Sequence, residues 1–182
     1  MRSRVPIVSF AGFKHTGKTT LIARLVEVLS GRGTRVGCIK HDGHDFVAQH
    51  EDVDSGKFFG AGAAASMIAS STGHVLAEWQ YGRAPELNEL ISRMGKVDLI
   101  LVEGYKDQLI PKWVLLEPLD GNRVYKIPEF AKIPEIKGQI QGYIVPSAPL
   151  KVADTDMPVY HRDNILGILS AIELMIRTVY TN

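Results

Sequence analysis

The run GFKHTGKTT, from Gly12 to Thr20, constrains this chain more than any other feature. It matches G-x-x-x-x-G-K-[ST], a loop whose backbone curls so that successive N–H groups converge on one anion. Such a loop works only between a buried strand and the first turn of a helix, because the helix presents its positive N-terminal end to the same anion. Both flanks are present. Val5 to Ala11 is a short apolar, β-branched run, as expected of a strand covered on both faces. From Gly17 to Ser30, Leu21, Ile22, Leu25, Val26 and Leu29 recur at helical spacing, and Gly31 and Gly33 end the helix. Arg35 to Lys40 then reads as a second strand, which completes a right-handed βαβ unit.

The fixed positions of the loop suit a nucleoside triphosphate with its magnesium ion. Gly12 and Gly17 permit the curl. Lys18 reaches the β- and γ-phosphates, and the Thr19 hydroxyl is a magnesium ligand. Thr20 serves the α-phosphate, and His15 and Thr16 complete the candidate binding set within the loop. Magnesium needs a further carboxylate at the C-terminal end of a neighbouring strand. VDLILVEG, the most strand-like segment of the chain, supplies Glu103 there, and Gly104 lets the backbone pass close to the terminal phosphate. Asp98, early in that strand, is expected at the opposite edge of the sheet with a structural role.

KHDGHDF, Lys40 to Phe46, leaves the second strand at its C-terminal end, where open α/β sheets bind ligands. Three readings stand. One is a solvated polar loop. Another is a transition-metal site built from imidazole and carboxylate. The spacing of His41, Asp42 and His44 matches no closed metal site, and the one cysteine, Cys38, is expected to be buried in the preceding strand. The third, favoured by position, is a switch-like loop that touches the terminal phosphate or a second anionic ligand through Lys40 and the histidines. Lys40 and Asp42 join Lys18 as candidates for any hydrolytic step. No residue is clearly placed to orient an attacking water, so turnover is expected to be slow.

The remaining pattern alternates strands and helices. Lys57 to Ala65 suggests a short helix, and Pro85 to Met94 a helix with proline in its first turn. Ala64 to Ala69 and Val75 to Trp79 suggest strands joined by the turn-like SSTGH. Trp113 to Leu116 and Ile140 to Val145 complete the strands, and Asn164 to Val179 is an amphipathic closing helix. The proline-punctuated stretch Glu117 to Gly138 receives no role. The expectation is a single nucleotide-binding domain over residues 1–182. Its class is α/β, a three-layer P-loop NTPase fold with a mostly parallel sheet that the hairpin makes mixed.

Composition narrows the partners. A formal net charge of +1 leaves no electrostatic footprint for nucleic acid or an anionic membrane. No apolar run approaches the ~20 residues of a membrane span. One cysteine excludes an internal disulfide and fits a reducing compartment. Arg2 and Arg4 before VPIVSFAGF imitate a signal peptide, but the polar HTGKTT follows, so a cytoplasmic protein is expected.

GFKHTGKTTL, KHDGHDF, DSGKFFGAGA and DLILVEGYK, in this order, resemble the molybdopterin-guanine dinucleotide biosynthesis protein B (MobB) family, over roughly Val5 to Lys112. The phosphate loop alone is widely shared. Its combination with KHDGH, Asp54-Ser55, Gly60 to Ala63 and Glu103 to Lys106 is far more specific. The resemblance implies a dimeric GTP-binding protein with weak GTPase activity, in the SIMIBI branch of P-loop proteins. It implies an adaptor to the molybdopterin guanylyltransferase (MobA-type) that joins molybdopterin to GMP, with other molybdenum cofactor enzymes as further partners. By the same analogy, Lys40, His41 and His44 bind a pterin phosphate or the γ-phosphate.

GTP in place of ATP rests on the resemblance alone, because no N-K-x-D or T-K-x-D motif occurs. Where a base-reading loop would fall the chain reads PSAPLKVAD, with Asp154 and the backbone near Ser147 and Ala148 as candidates. Two other functions compete. A metallochaperone GTPase of the same branch would carry nickel or zinc on His41, His44 and His50. A small-metabolite kinase would need an arginine-rich lid, for which only Arg83, Arg93 and Arg123 are at hand. The hairpin region Ser70 to Tyr81, with Trp79 and Tyr81, is a candidate dimer surface. Trp79 as a core residue of its own strand is the equal alternative.

Overall fold

The computed structural model describes residues 5–41, 54–118, 125–147, 152 and 155–180. The main sheet comprises β1 (Ile7–Gly12), β2 (Val36–Lys40), β5 (Leu99–Glu103), β6 (Lys112–Leu115), β7 (Ile140–Val145) and β8 (Val159–His161). Its order is β2-β5-β1-β6-β7-β8, and every pairing is parallel. The strand preceding the phosphate loop is thus flanked by β5 on one side and β6 on the other. All the C-terminal strand ends point to one edge, the edge at which parallel sheets hold ligands.

Alternation along the strands sends side chains into two cores. Val8, Phe10, Leu99, Leu101, Trp113, Leu115 and Ile144 face α1 (Lys18–Gly31) and α5 (Ile165–Tyr180), which add Leu21, Leu25, Ile168, Leu169 and Ile172. The other face of β6 and β7 gives Val114, Leu116, Ile140, Tyr143 and Val145, packed with Tyr125, Ala131 and Val152. A 3-10 turn (Glu129–Lys132) and the short α4 (Pro134–Lys137) lie in the proline-rich stretch that the sequence left without a role. Asp98 lies at the N-terminal edge as expected, holding the Arg35 guanidinium at 2.6 Å and the Arg35 N–H at 2.9 Å.

The hairpin forms, but not within this sheet. β3 (Ala65–Ala69) and β4 (Val75–Trp79) pair antiparallel as a separate two-stranded sheet, so the main sheet is not mixed. They belong, with α2 (Asp54–Gly60) and α3 (Leu87–Ser92), to a compact unit spanning Asp42–Arg93, distinct from a larger unit of Met1–His41 and Met94–Asn182. The α2 helix starts earlier than its apolar residues suggest, because Asp54 supplies a first-turn carboxylate that also pairs with Lys57 at 3.1 Å. Pro85 precedes α3 and stands outside its first turn, with Glu86 and Glu89 forming a capping box. Cys38 is exposed, not buried, because β2 is an edge strand covered on one face only. Strand β8 is new. Three half-buried residues carry too little periodicity to announce a strand.

Candidate functional site

The phosphate loop leaves β1 in contact with the neighbouring strand. Gly12 (φ 151°) passes so close to β6 that a Cβ would lie 2.6 Å from the Leu115 carbonyl oxygen. Gly17 (φ 85°) is left-handed at the N-cap of α1. His15 (φ 66°) adopts the same region without being glycine, a strain of roughly 1–3 kcal/mol that surrounding contacts must hold. The buried Thr16 hydroxyl donates to the Phe13 carbonyl at 3.0 Å and braces the loop. Lys18 lies along the curl, donating to the carbonyls of Gly12 (3.3 Å) and Phe13 (2.6 Å). Burial lowers its pKa below the ordinary lysine value, and Lys40 adds to that, while Glu103 and Glu117 oppose it.

Glu103 ends β5 with only 9% of its surface exposed. The Thr19 hydroxyl, in the first turn of α1, donates to both its carboxylate oxygens at 3.0 and 2.8 Å. The Lys40 ammonium, at the end of β2, stands 3.7 Å from the same carboxylate. A hydroxyl and one carboxylate, both hard oxygen donors beside a phosphate loop, fit magnesium, which takes few protein ligands and completes its shell with phosphate oxygens and water. Thr20 is exposed on α1, one residue beyond.

His41 follows β2, donates its N–H to the Glu103 carbonyl at 2.9 Å, and sets its ring 4.8 Å from that of Tyr105. The sequence-derived candidates Asp42 and His44, and His50 with them, lie outside the described residues. No cluster of three His, Cys, Asp or Glu side chains occurs among the described residues. The arginines that a kinase lid would use are engaged within the smaller unit. Arg83 holds Glu89 at 2.6 Å, and Arg93 stacks 4.3 Å over Trp79 and donates to the Tyr81 hydroxyl. Arg123 and Asp154 lie outside the described residues, and the Ser147 hydroxyl is within 2.9 Å of the Tyr125 hydroxyl.

Three residues here were not singled out from sequence. Glu117, just beyond β6, acts on Lys18 and lines a cavity of about 250 Å³ together with Phe13, Leu116, Lys126, Ile127 and Pro128. Its signal was available: WVLLE ends as LILVE does. Arg162, just after β8, donates to the Thr16 carbonyl at 3.2 Å, a contact that no local pattern announces. Lys112 opens β6 fully buried and donates to the carbonyls of Lys106 (2.9 Å) and Gln108 (2.6 Å). It thereby holds the segment that returns from Glu103 across the sheet, and burial lowers its pKa to about 8.

Comparison with known proteins bears on the family and the fold. The family model described as Molybdopterin guanine dinucleotide synthesis protein B matches residues 7–129. The molybdopterin-guanine dinucleotide biosynthesis adapter protein of Escherichia coli (strain K12) is 40% identical over 125 residues, 67% of this chain and 71% of that protein. A probable adapter protein of the same name from Bacillus subtilis (strain 168) is 34% identical over 61% of this chain and 65% of its own length. Among solved structures, Bacillus subtilis MobB superposes with a TM-score of 0.67 at 26% identity, covering 91% of this chain and 97% of that one. With the match extending over β1 to β6 and the fold shared across the full sheet, the chain belongs to the molybdopterin guanine dinucleotide synthesis protein B family.

Proposed function

We propose that this chain is a GTP-binding adaptor in the synthesis of the guanine dinucleotide form of the molybdenum cofactor. The observation that carries the nucleotide site is the Thr19–Glu103 pair beside Lys18, a magnesium-ready couple at the mouth of a phosphate loop. Gly12, His15, Thr16, Gly17, Lys18, Thr19 and Thr20 would receive the phosphates, Thr19 and Glu103 the magnesium ion. Lys40 and His41, at the end of β2, would meet the terminal phosphate or a second anionic ligand, with Asp42 and His44 beyond them in sequence. When bound, magnesium would neutralise charge on the β- and γ-phosphates. Lys18 would leave the loop carbonyls for the phosphates, and the loop N–H groups would orient them. Lys40 and Asp42 are the candidates beside Lys18 for any hydrolytic step, and the reading carries slow hydrolysis.

The printed names of the relatives support the adaptor role. A guanylyltransferase of the MobA type is the partner this reading names, with a homodimer acting as one nucleotide-binding domain per chain in the cytoplasm. No helix among the described residues is long and apolar enough to cross a membrane. Titration calorimetry of the purified protein with GTP and ATP, each with magnesium, tests the reading. Tight GTP binding with turnover of a few per hour or less is expected. Rapid phosphate transfer to a metabolite, or no triphosphate binding at all, would overturn it.

A further inference from the structure

The groups that suit the magnesium end of a nucleotide all stand on one flank of β1: Glu103 on β5, Lys40 on β2 and Thr19 at the start of α1. A triphosphate whose γ-phosphate lies toward β5 therefore extends its nucleoside toward β6, β7 and β8. On that flank Arg162 reaches the phosphate loop. Its backbone N–H donates to the Val145 carbonyl at 2.9 Å, which ties it to the end of β7. Its Nη1 donates to the Thr16 carbonyl, and a Cβ on Gly17 would lie 2.7 Å from that nitrogen. The next residue, Asp163, is held by Arg24 of α1 at 2.6 Å, so the base of the arginine is fixed from both sides. The Thr16 contact is the one hydrogen bond of the Arg162 side chain among the described residues, so most of its donor fork is unspent.

We infer that Arg162 is the base-reading residue of the site, donating to O6 and N7 of guanine in place of the aspartate motif the sequence lacks. Guanine presents two adjacent acceptors on that edge, which a guanidinium meets with two parallel N–H groups. Adenine presents N7 beside an amino donor, which opposes a cation that can only donate. The inference rests on the proposed triphosphate site.

Calorimetry with magnesium separates the two. Wild-type protein is titrated with GTP, ITP, 7-deaza-GTP and ATP, and Arg162→Ala and Arg162→Lys with GTP and ATP. ITP, which keeps O6 and N7, is expected to match GTP, while 7-deaza-GTP binds more weakly. Arg162→Ala is expected to weaken GTP about ten- to a hundredfold more than it weakens ATP, with partial recovery of that difference in Arg162→Lys. Equal losses for GTP and ATP would assign the arginine to a phosphate and overturn the inference. Equal affinity of the wild type for all four triphosphates would overturn it while sparing the triphosphate site. Absence of any triphosphate binding would remove both. Where a variant fails to fold, the wild-type analogue series can still overturn the inference, since equal affinity for all four triphosphates excludes reading of O6 and N7.

Discussion

The two strands beside β1 end alike and are equipped differently. β5 and the β6 run are both fully buried, and each delivers a glutamate to the edge of the sheet that holds the phosphate loop. Glu103 meets a threonine hydroxyl and a lysine there, whereas Glu117 is exposed and reaches Lys18 only through its field. The β5 flank is thus a polar cluster of hydroxyl, carboxylate and ammonium. The β6 flank, with Phe13, Leu116, Ile127 and Pro128 around Lys126 and Glu117, is an apolar recess with charges at its rim. A strand-end carboxylate becomes a candidate metal ligand through the hydroxyl that α1 places against it, not through its position alone.

The largest test removes what the flanks share. Lys18→Ala is expected to abolish magnesium-triphosphate binding on calorimetry while the thermal midpoint stays within a few degrees, since among the described residues the lysine hydrogen-bonds only loop carbonyls and the Thr16 hydroxyl. Next, Glu103→Gln and Glu117→Gln set the flanks against each other. Loss of the first is expected to remove magnesium-dependent tightening by about tenfold or more, and loss of the second to leave it nearly unchanged. Comparable losses from both variants would erase the distinction drawn between β5 and β6.

Smaller effects sharpen it. Lys112 titrates near 8 when folded and near 10.5 when unfolded, so between those values the unfolded chain binds more protons. Its contribution to stability therefore rises as pH increases through that window, and Lys112→Met is expected to flatten the rise in urea melts. Smallest is the exposed Arg35–Asp98 pair at the opposite edge. Its hydrogen bonds hold Asp98 near 2, so the stability it contributes is present above about 3.8 and lost as pH falls through 2. Asp98→Asn is expected to remove that acid-side loss and leave nucleotide binding alone.

What could be read from the sequence follows from the range over which each contact acts. The phosphate loop, its strand and its helix are local, so the pattern GFKHTGKTT carried them directly, and Glu103 followed from a strand pattern closed by one carboxylate. Arg162 meets Thr16 across 146 positions, through a three-residue strand with no period to detect. Lys112 reads as a solvent-facing charge, and only the returning segment above it makes it a core residue. The hairpin was legible as two strands and a turn, but which sheet it joins is a long-range matter that alternation does not encode.

The path from β5 to β6 has a mechanical side. Segment Gly104 to Pro111 must return past β1 to the start of a parallel neighbour, and no helix fills that crossover. A single ammonium serves as the bolt, with the backbone just after the Glu103 carboxylate fastened to the first residue of β6. Lys112 thus ties the residues that follow Glu103 to the opening of the strand that leads to Glu117, so the backbones of β5 and β6 are joined side chain to main chain as well as through β1.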